Sequence, residues 1–161
     1  MKRSLILVLF TISILILSNV NSAKAQYANA AGVRIGDYTG ITFKTFFLGE
    51  DRALDFILGF KSKDAYSAVR FTGLYEVHNP INFDYGTLRW YYGGGASIGG
   101  IDYKPIDKND FLLSADGVLG LDYLFDGAPI NLSFDWKPAL QFAPDADFKA
   151  GQFGLSVRVA F

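Results

Sequence analysis

The chain has one histidine and no cysteine among its 161 residues, so the chemistry its side chains could carry is narrow. Without cysteine there is no thiolate nucleophile, no thiolate metal site, no disulfide framework and no lipid-modified N-terminal Cys. His78 could activate a serine nucleophile only with an orienting acid and a serine within reach. It is followed by Asn79-Pro80 rather than by a nearby serine, and reads as a turn histidine ahead of a proline. Oxygen ligands for calcium could come from Asp107, Asn109 and Asp110, or from Asp145 and Asp147. That spacing lacks the Gly and the distal Glu of an EF-hand loop, so these acids read as solvated loop residues. The run Gly93-Gly94-Gly95 does not complete G-x-G-x-x-G, because position 98 is Ile. Space is its better explanation, since small residues let large neighbours such as Tyr91 or Arg89 fold across a crowded interior. No catalytic group, cofactor or metal is expected.

The informative charges are those that recur opposite an apolar face: Arg34, Lys44, Asp55, Arg70, Glu76, Arg89, Asp116, Asp122, Asp135, Lys137 and Arg158. Six are positive and five negative, with at least one on every element that could carry them. If they point into a confined space they should pair, because an unpaired buried charge costs several kcal/mol.

The elements that would position them are strands. Phe153, Leu155, Val157, Val159 and Phe161 alternate with Gly154, Ser156, Arg158 and Ala160, and Ile130, Leu132, Phe134 and Trp136 alternate with Asn131, Ser133, Asp135 and Lys137. Period two at this strictness means a strand with one apolar and one polar face. Similar registers occur near 30–37, 40–48, 53–60, 67–78, 87–98 and 111–125, which gives eight strands. The division of the first pair rests on a turn at Asp37-Tyr38-Thr39-Gly40. The five prolines fall between strands or near an end, as strand hydrogen bonding requires. Short connections are expected at Gly49–Arg52 and Asp126–Pro129, a longer one at His78–Thr87, and larger loops at Gly99–Asp110 and Gln141–Lys149.

Lys2 and Arg3, an apolar run from Leu5 to Leu17, and Ala23-Lys24-Ala25 ahead of Gln26 form a secretory signal peptide over 1–25. The apolar run is too short for a membrane-spanning helix, which needs ~20 residues. Its removal leaves residues 26–161 as one β-barrel domain, with 12 cations against 16 acids and 25 of the 26 aromatics. Such a balance argues against a nucleic-acid partner, which calls for a basic surplus.

An apolar, aromatic face opposite a charged one has a simple cause in a membrane. Lipid offers no hydrogen-bond partners, so a β-structure crossing it must close on itself. Outward residues then meet hydrocarbon and inward ones a polar lumen. Eight strands make a barrel just wide enough for its own side chains to fill, which favours a closed, salt-bridged plug over an ion pore. The fold expected is all-β: an eight-stranded antiparallel up-and-down transmembrane barrel with a plugged polar lumen.

The signal ending Ala23-Lys24-Ala25, the eight dyad segments and the terminal Gly154-Leu155-Ser156-Val157-Arg158-Val159-Ala160-Phe161 resemble the small eight-stranded outer-membrane barrels of Gram-negative bacteria, the architecture of OmpX-like proteins and the OmpA membrane domain. Gly32-Val33-Arg34-Ile35-Gly36, Gly73-Leu74-Tyr75-Glu76, Trp90-Tyr91-Tyr92-Gly93-Gly94-Gly95 and Asp135-Trp136-Lys137-Pro138 look like recurrent patterns of an uncharacterised outer-membrane barrel family. The resemblance implies location in the cell outer membrane. Its partners would be outer-membrane lipid and lipopolysaccharide, with Phe161 as a signal to the barrel-assembly machinery. It also implies a monomer without catalysis, acting as a structural element or through its surface loops. Two alternatives stay open: a lipid A-modifying enzyme, since some such barrels are deacylases or palmitoyl transferases, and a soluble lipocalin-like carrier with its apolar face inward.

Overall fold

A computed structural model describes residues 28–161 apart from 48, 50 and 104–107. The signal segment expected at 1–25 lies outside the described residues. The described part contains ten β segments and no helix: β1 (Asn29–Gly36), β2 (Thr39–Phe46), β3 (Arg52–Ser62), β4 (Tyr66–Ile81), β5 (Thr87–Tyr103), β6 (Lys108–Leu124), β7 (Ile130–Trp136), β8 (Ala139–Ala143), β9 (Asp147–Lys149) and β10 (Phe153–Ala160). Neighbours in sequence pair antiparallel around the ring, and β10 returns to β1 through Val157↔Val33 and Ala160↔Ala30. The result is a closed eight-stranded barrel.

Ten segments make eight wall strands because two of the walls are interrupted. β7 and β8 share one register against β6, with Leu119↔Trp136 on one side of the break and Asp116↔Ala139 on the other. Pro138 lies between them and has no N–H for the ladder, yet its carbonyl still accepts from Gly117 N at 2.8 Å. β9 pairs with β8 and β10 with β7, so this hairpin forms the last two walls.

One end of the barrel, the terminal end, is where β1 begins and the chain finishes after β10, joined by Phe161 N–H to Asn29 O at 2.8 Å and Asn29 N–H to Phe161 O at 3.1 Å. The turns at this terminal end contain Gly49, Gly86 and Gly127, whose φ values of 97°, 130° and 75° favour glycine. The opposite, far end holds the β1–β2 turn at Asp37-Tyr38 and the hairpin ends of β3–β4, β5–β6 and β8–β9. The turn at Asp37-Tyr38 separates two paired strands, Arg34↔Gly40, so the first stretch is a hairpin.

Three connections differ from expectation. β4 runs through His78 to Ile81, so the expected turn at His78–Thr87 shrinks to 82–86. The expected loop Gly99–Asp110 is mostly hairpin, with β5 continuing to Tyr103 and β6 starting at Lys108; only 104–107 remain between them. The expected loop Gln141–Lys149 contains the end of β8 and all of β9. Polar composition suggested loops in each case. Ladder bonding does not require apolar side chains, so strands can continue past the band where the apolar alternation holds.

Candidate functional site

Alternation decides what fills the barrel. All eleven charged residues of the polar face, Arg34, Lys44, Asp55, Arg70, Glu76, Arg89, Asp116, Asp122, Asp135, Lys137 and Arg158, point inward and are buried. They gather in two tiers.

The terminal tier centres on Lys44 and Arg158. Lys44 Nζ lies 2.7 Å from Glu76, 3.5 Å from Asp122 and 3.9 Å from Asp55, and sits 4.3 Å from the centre of the Tyr91 ring. Arg158 bonds Asp55 at 2.7 Å, Ser133 at 2.7 Å, Asn131 at 3.3 Å and Thr42 at 3.0 and 3.1 Å. Thr42 in turn donates to Asp55 at 2.6 Å, and Asn131 to Asp122 at 2.8 Å. Arg89 packs its guanidinium 5.4 Å from the Phe46 ring centre.

The far tier holds two groups. Arg34 forms a two-point bond with Asp135 at 2.5 and 2.7 Å, and the Tyr91 hydroxyl donates to the same carboxylate at 3.0 Å. Arg70 bonds Asp116 at 2.5 Å, Ser114 at 2.8 Å and Gln152 at 3.0 Å. Ser97 also donates to Asp116 and shares a 2.7 Å hydrogen bond with Thr72. Lys137 is 3.8 Å from Asp116. Ile57, Leu74 and Val118 form a small apolar cluster with Tyr91 in the lumen. Tyr91 spans the two tiers, with Lys44 over its ring and Asp135 on its hydroxyl.

His78 corrects the reading of a turn histidine. It is an inward residue of β4, 2% exposed, with Nε2 2.9 Å from Glu76. Its ring stacks on Tyr91 at 4.8 Å and meets Phe46 edge-on at 4.9 Å. The missed signal was parity, because 78 shares the strand phase of Arg70 and Glu76. The same parity places Ile57, Leu74 and Val118 inside, beside Asp55, Glu76 and Asp116. It places the hydroxyls of Thr42, Thr72, Ser97, Ser114, Ser133 and Ser156 there as well.

In the glycine run, Gly93 and Gly95 lie where the neighbouring backbone leaves no room for a side chain. A Cβ on Gly93 or Gly95 would collide with the β4 backbone carbonyls of Tyr75 or Gly73. The room for large side chains comes from other strands. A Cβ on Gly120 would stand 2.7 Å from the Tyr91 ring, and one on Gly154 would overlap the Arg34 guanidinium.

The outer face is the inverse of the lumen. From Leu54 to Phe60, Val69 to Val77, Leu88 to Ile98, Phe111 to Tyr123, Ile130 to Trp136 and Phe153 to Phe161, no outward position carries a charge. Val33, Ile41, Phe60, Phe71, Trp90, Ile98, Leu121, Phe134 and Val157 are among its exposed apolar side chains. Aromatic pairs cluster towards the terminal end, including Trp90–Tyr92 at 5.5 Å, Phe83–Tyr123 at 5.8 Å and Tyr123–Phe125 at 4.6 Å. Phe161 completes this rim, 60% exposed and held by its backbone to Asn29.

At the far rim two of the acids considered for calcium, Asp110 and Asp147, are engaged otherwise. Asp110 accepts from Lys108 at 2.9 Å, a bond that holds the Lys108 ammonium above its ordinary pKa. Asp147 accepts from Lys149, which holds the Asp147 carboxyl below its ordinary range. Asp107 lies outside the described residues, and among the described residues no group of three His, Cys, Asp or Glu could hold a metal. Compared with family models, curated proteins and solved structures, the chain shows no match.

Proposed function

We propose that this chain is a non-catalytic integral protein of the bacterial outer membrane, exported behind a cleaved signal peptide, monomeric, and structural or interactive at its far, extracellular end. The observation that carries this reading is the inverted polarity of the wall. Soluble monomers rarely expose a contiguous apolar patch larger than a few hundred Å². Here uncharged, largely apolar side chains circle the barrel, while the charges are sequestered inside. At ~3.3 Å per residue and a tilt of ~40°, the stretch Leu88–Ile98 covers about 25 Å, the height of the apolar band on outer-membrane barrels. Closure of β10 on β1 satisfies the backbone as hydrocarbon demands. The far end then faces outward, because the residues that open and close the wall, Asn29 and Phe161, belong on the periplasmic side.

A soluble carrier would need an apolar interior, and this interior is lined by paired charges. For an enzyme, the single histidine is enclosed between Phe46 and Tyr91 with a glutamate on Nε2, which leaves no accessible nucleophile–base pair around it.

Expression in a Gram-negative host followed by fractionation and gel electrophoresis with and without heating tests the reading. Recovery in the outer membrane with a heat-dependent mobility shift is expected. A soluble periplasmic product would overturn it.

A further inference from the structure

The two lumen tiers differ in charge. In the terminal tier, Lys44, Arg89 and Arg158 are matched by Asp55, Glu76 and Asp122. In the far tier, Arg34, Arg70 and Lys137 face only Asp116 and Asp135. The nearest rim charges, Lys61 and Asp37, bond each other at 2.5 Å and leave that count unchanged. The far tier therefore carries one excess positive charge among the described residues, in an interior where an uncompensated charge is costly.

A cavity sits where the excess lies. It holds about 20 Å³, enough for one water-sized species, and is lined by Arg34, Arg70, Lys137, Tyr38, Asp37 and Gln152. Two cationic donors on its wall are under-used. Arg70 Nε is buried with no hydrogen-bond partner, although both terminal nitrogens of that guanidinium are engaged. Lys137 is 7% exposed, and its contact with a carboxylate is the 3.8 Å approach to Asp116. The cavity lies beside the Asp37-Tyr38 turn, the shortest connection of the far end, and is not fully enclosed, so a small solute can reach it.

We propose that this cavity binds one small monovalent anion of halide size between Arg70 Nε and the Lys137 ammonium. A water molecule could satisfy Arg70 Nε, but only an anion also closes the charge count. A polyatomic anion such as phosphate exceeds a space of about 20 Å³, so the site selects a single-atom ion. The site stands apart from the membrane reading, because it depends only on the lumen.

The test uses the full mature barrel folded in detergent micelles, with urea unfolding followed in sodium chloride, bromide, phosphate or gluconate at equal ionic strength. For a dissociation constant of ~10 mM, ~100 mM chloride raises the folding equilibrium constant roughly tenfold by mass action. Chloride and bromide should therefore stabilise relative to gluconate, phosphate should not, and Lys137→Met should abolish the difference. Crystals grown in bromide should show anomalous density between Arg70 and Lys137, a readout that needs no variant. Equal unfolding curves in chloride and gluconate, an unchanged chloride effect in Lys137→Met, or bromide crystals without density in the cavity would each overturn the proposal.

Discussion

At the end where β1 begins and β10 finishes, three cations are matched by three carboxylates with almost no solvent contact. At the far end, three cations share two carboxylates around a small cavity. Both tiers are built by the same device, inward residues at alternate positions along the strands, so the difference lies in which partners each charge reaches. Arg158 makes five hydrogen bonds to four side chains, and a single residue there holds four strands together. Lys137 sits at the interruption between β7 and β8 and has one distant carboxylate. The terminal tier resembles a knot, and the far tier a socket.

Single substitutions should break the comparison most visibly. Arg158→Ala leaves Asp55 buried without its main partner and should cost about 3–5 kcal/mol of folding free energy. Asp135→Ala strands Arg34 and the Tyr91 hydroxyl, and belongs in the same range. Lys137→Met, measured in chloride-free buffer, should change stability by no more than ~1 kcal/mol, because the lost pair is long and the new side chain fills the same space. Urea unfolding of the three variants gives the ranking. A Lys137→Met cost equal to that of Arg158→Ala would erase the distinction between tiers.

The outer face supplies the next largest effect. Val157 is the outward neighbour of Arg158 on β10 and is 44% exposed. Val157→Arg should cost ~2–4 kcal/mol if it lies near the bilayer midplane. In detergent with a thin apolar shell the penalty should shrink, since the arginine reaches water more easily. A silent Val157→Arg in lipid vesicles would contradict the membrane placement while leaving the lumen pairing untouched.

Phe161 links wall and tier, because it follows the strand that delivers Arg158 to the knot. Its side chain is outward and its backbone closes the barrel on Asn29. Deletion should lower outer-membrane yield and leave protease-sensitive chains in the periplasm. The fraction that does fold should keep most of its stability, since β10 retains its pairs with β1 and β7 up to Ala160. Normal yield from the deletion strain would remove the assembly role.

Much of this architecture could be read from the alternation alone. In Phe153–Phe161 the period fixes which residues face in, and with it the position of Arg158. Partners could not be read, because Arg34 and Asp135 lie 101 residues apart and meet only once the barrel closes. Nor could the strand ends, since Tyr103 and Lys108 pair beyond the apolar band, where hydropathy carries no signal. Tyr91 was missed as a bridge for the same kind of reason. Its position in a run of aromatics gave its face, while its span between Lys44 and Asp135 depends on the glycine at 120 on the neighbouring strand.

The smallest effect should come from the far hairpin. Replacing Ile101–Asp110 with a short Gly/Ser turn removes the ladder pairs Ile101↔Asp110, Asp102↔Asn109 and Tyr103↔Lys108, and with them the β4 pairs Ala68↔Ile101, Ser67↔Asp102 and Tyr66↔Tyr103. What is lost is an exposed ion pair, a 6.3 Å Tyr66–Tyr103 contact and a few rim hydrogen bonds. The wall below Gly99↔Leu112 keeps its register, and neither lumen tier draws a charged residue from the excised stretch. The trimmed barrel should therefore assemble, shift on heating like the parent, and unfold at nearly the same urea concentration. Any binding at the far surface should go with the hairpin, because protruding strands and turns on a rigid scaffold are what such a barrel presents to its surroundings. Failure of the trimmed chain to assemble would mean instead that β5 and β6 zip from this hairpin inward.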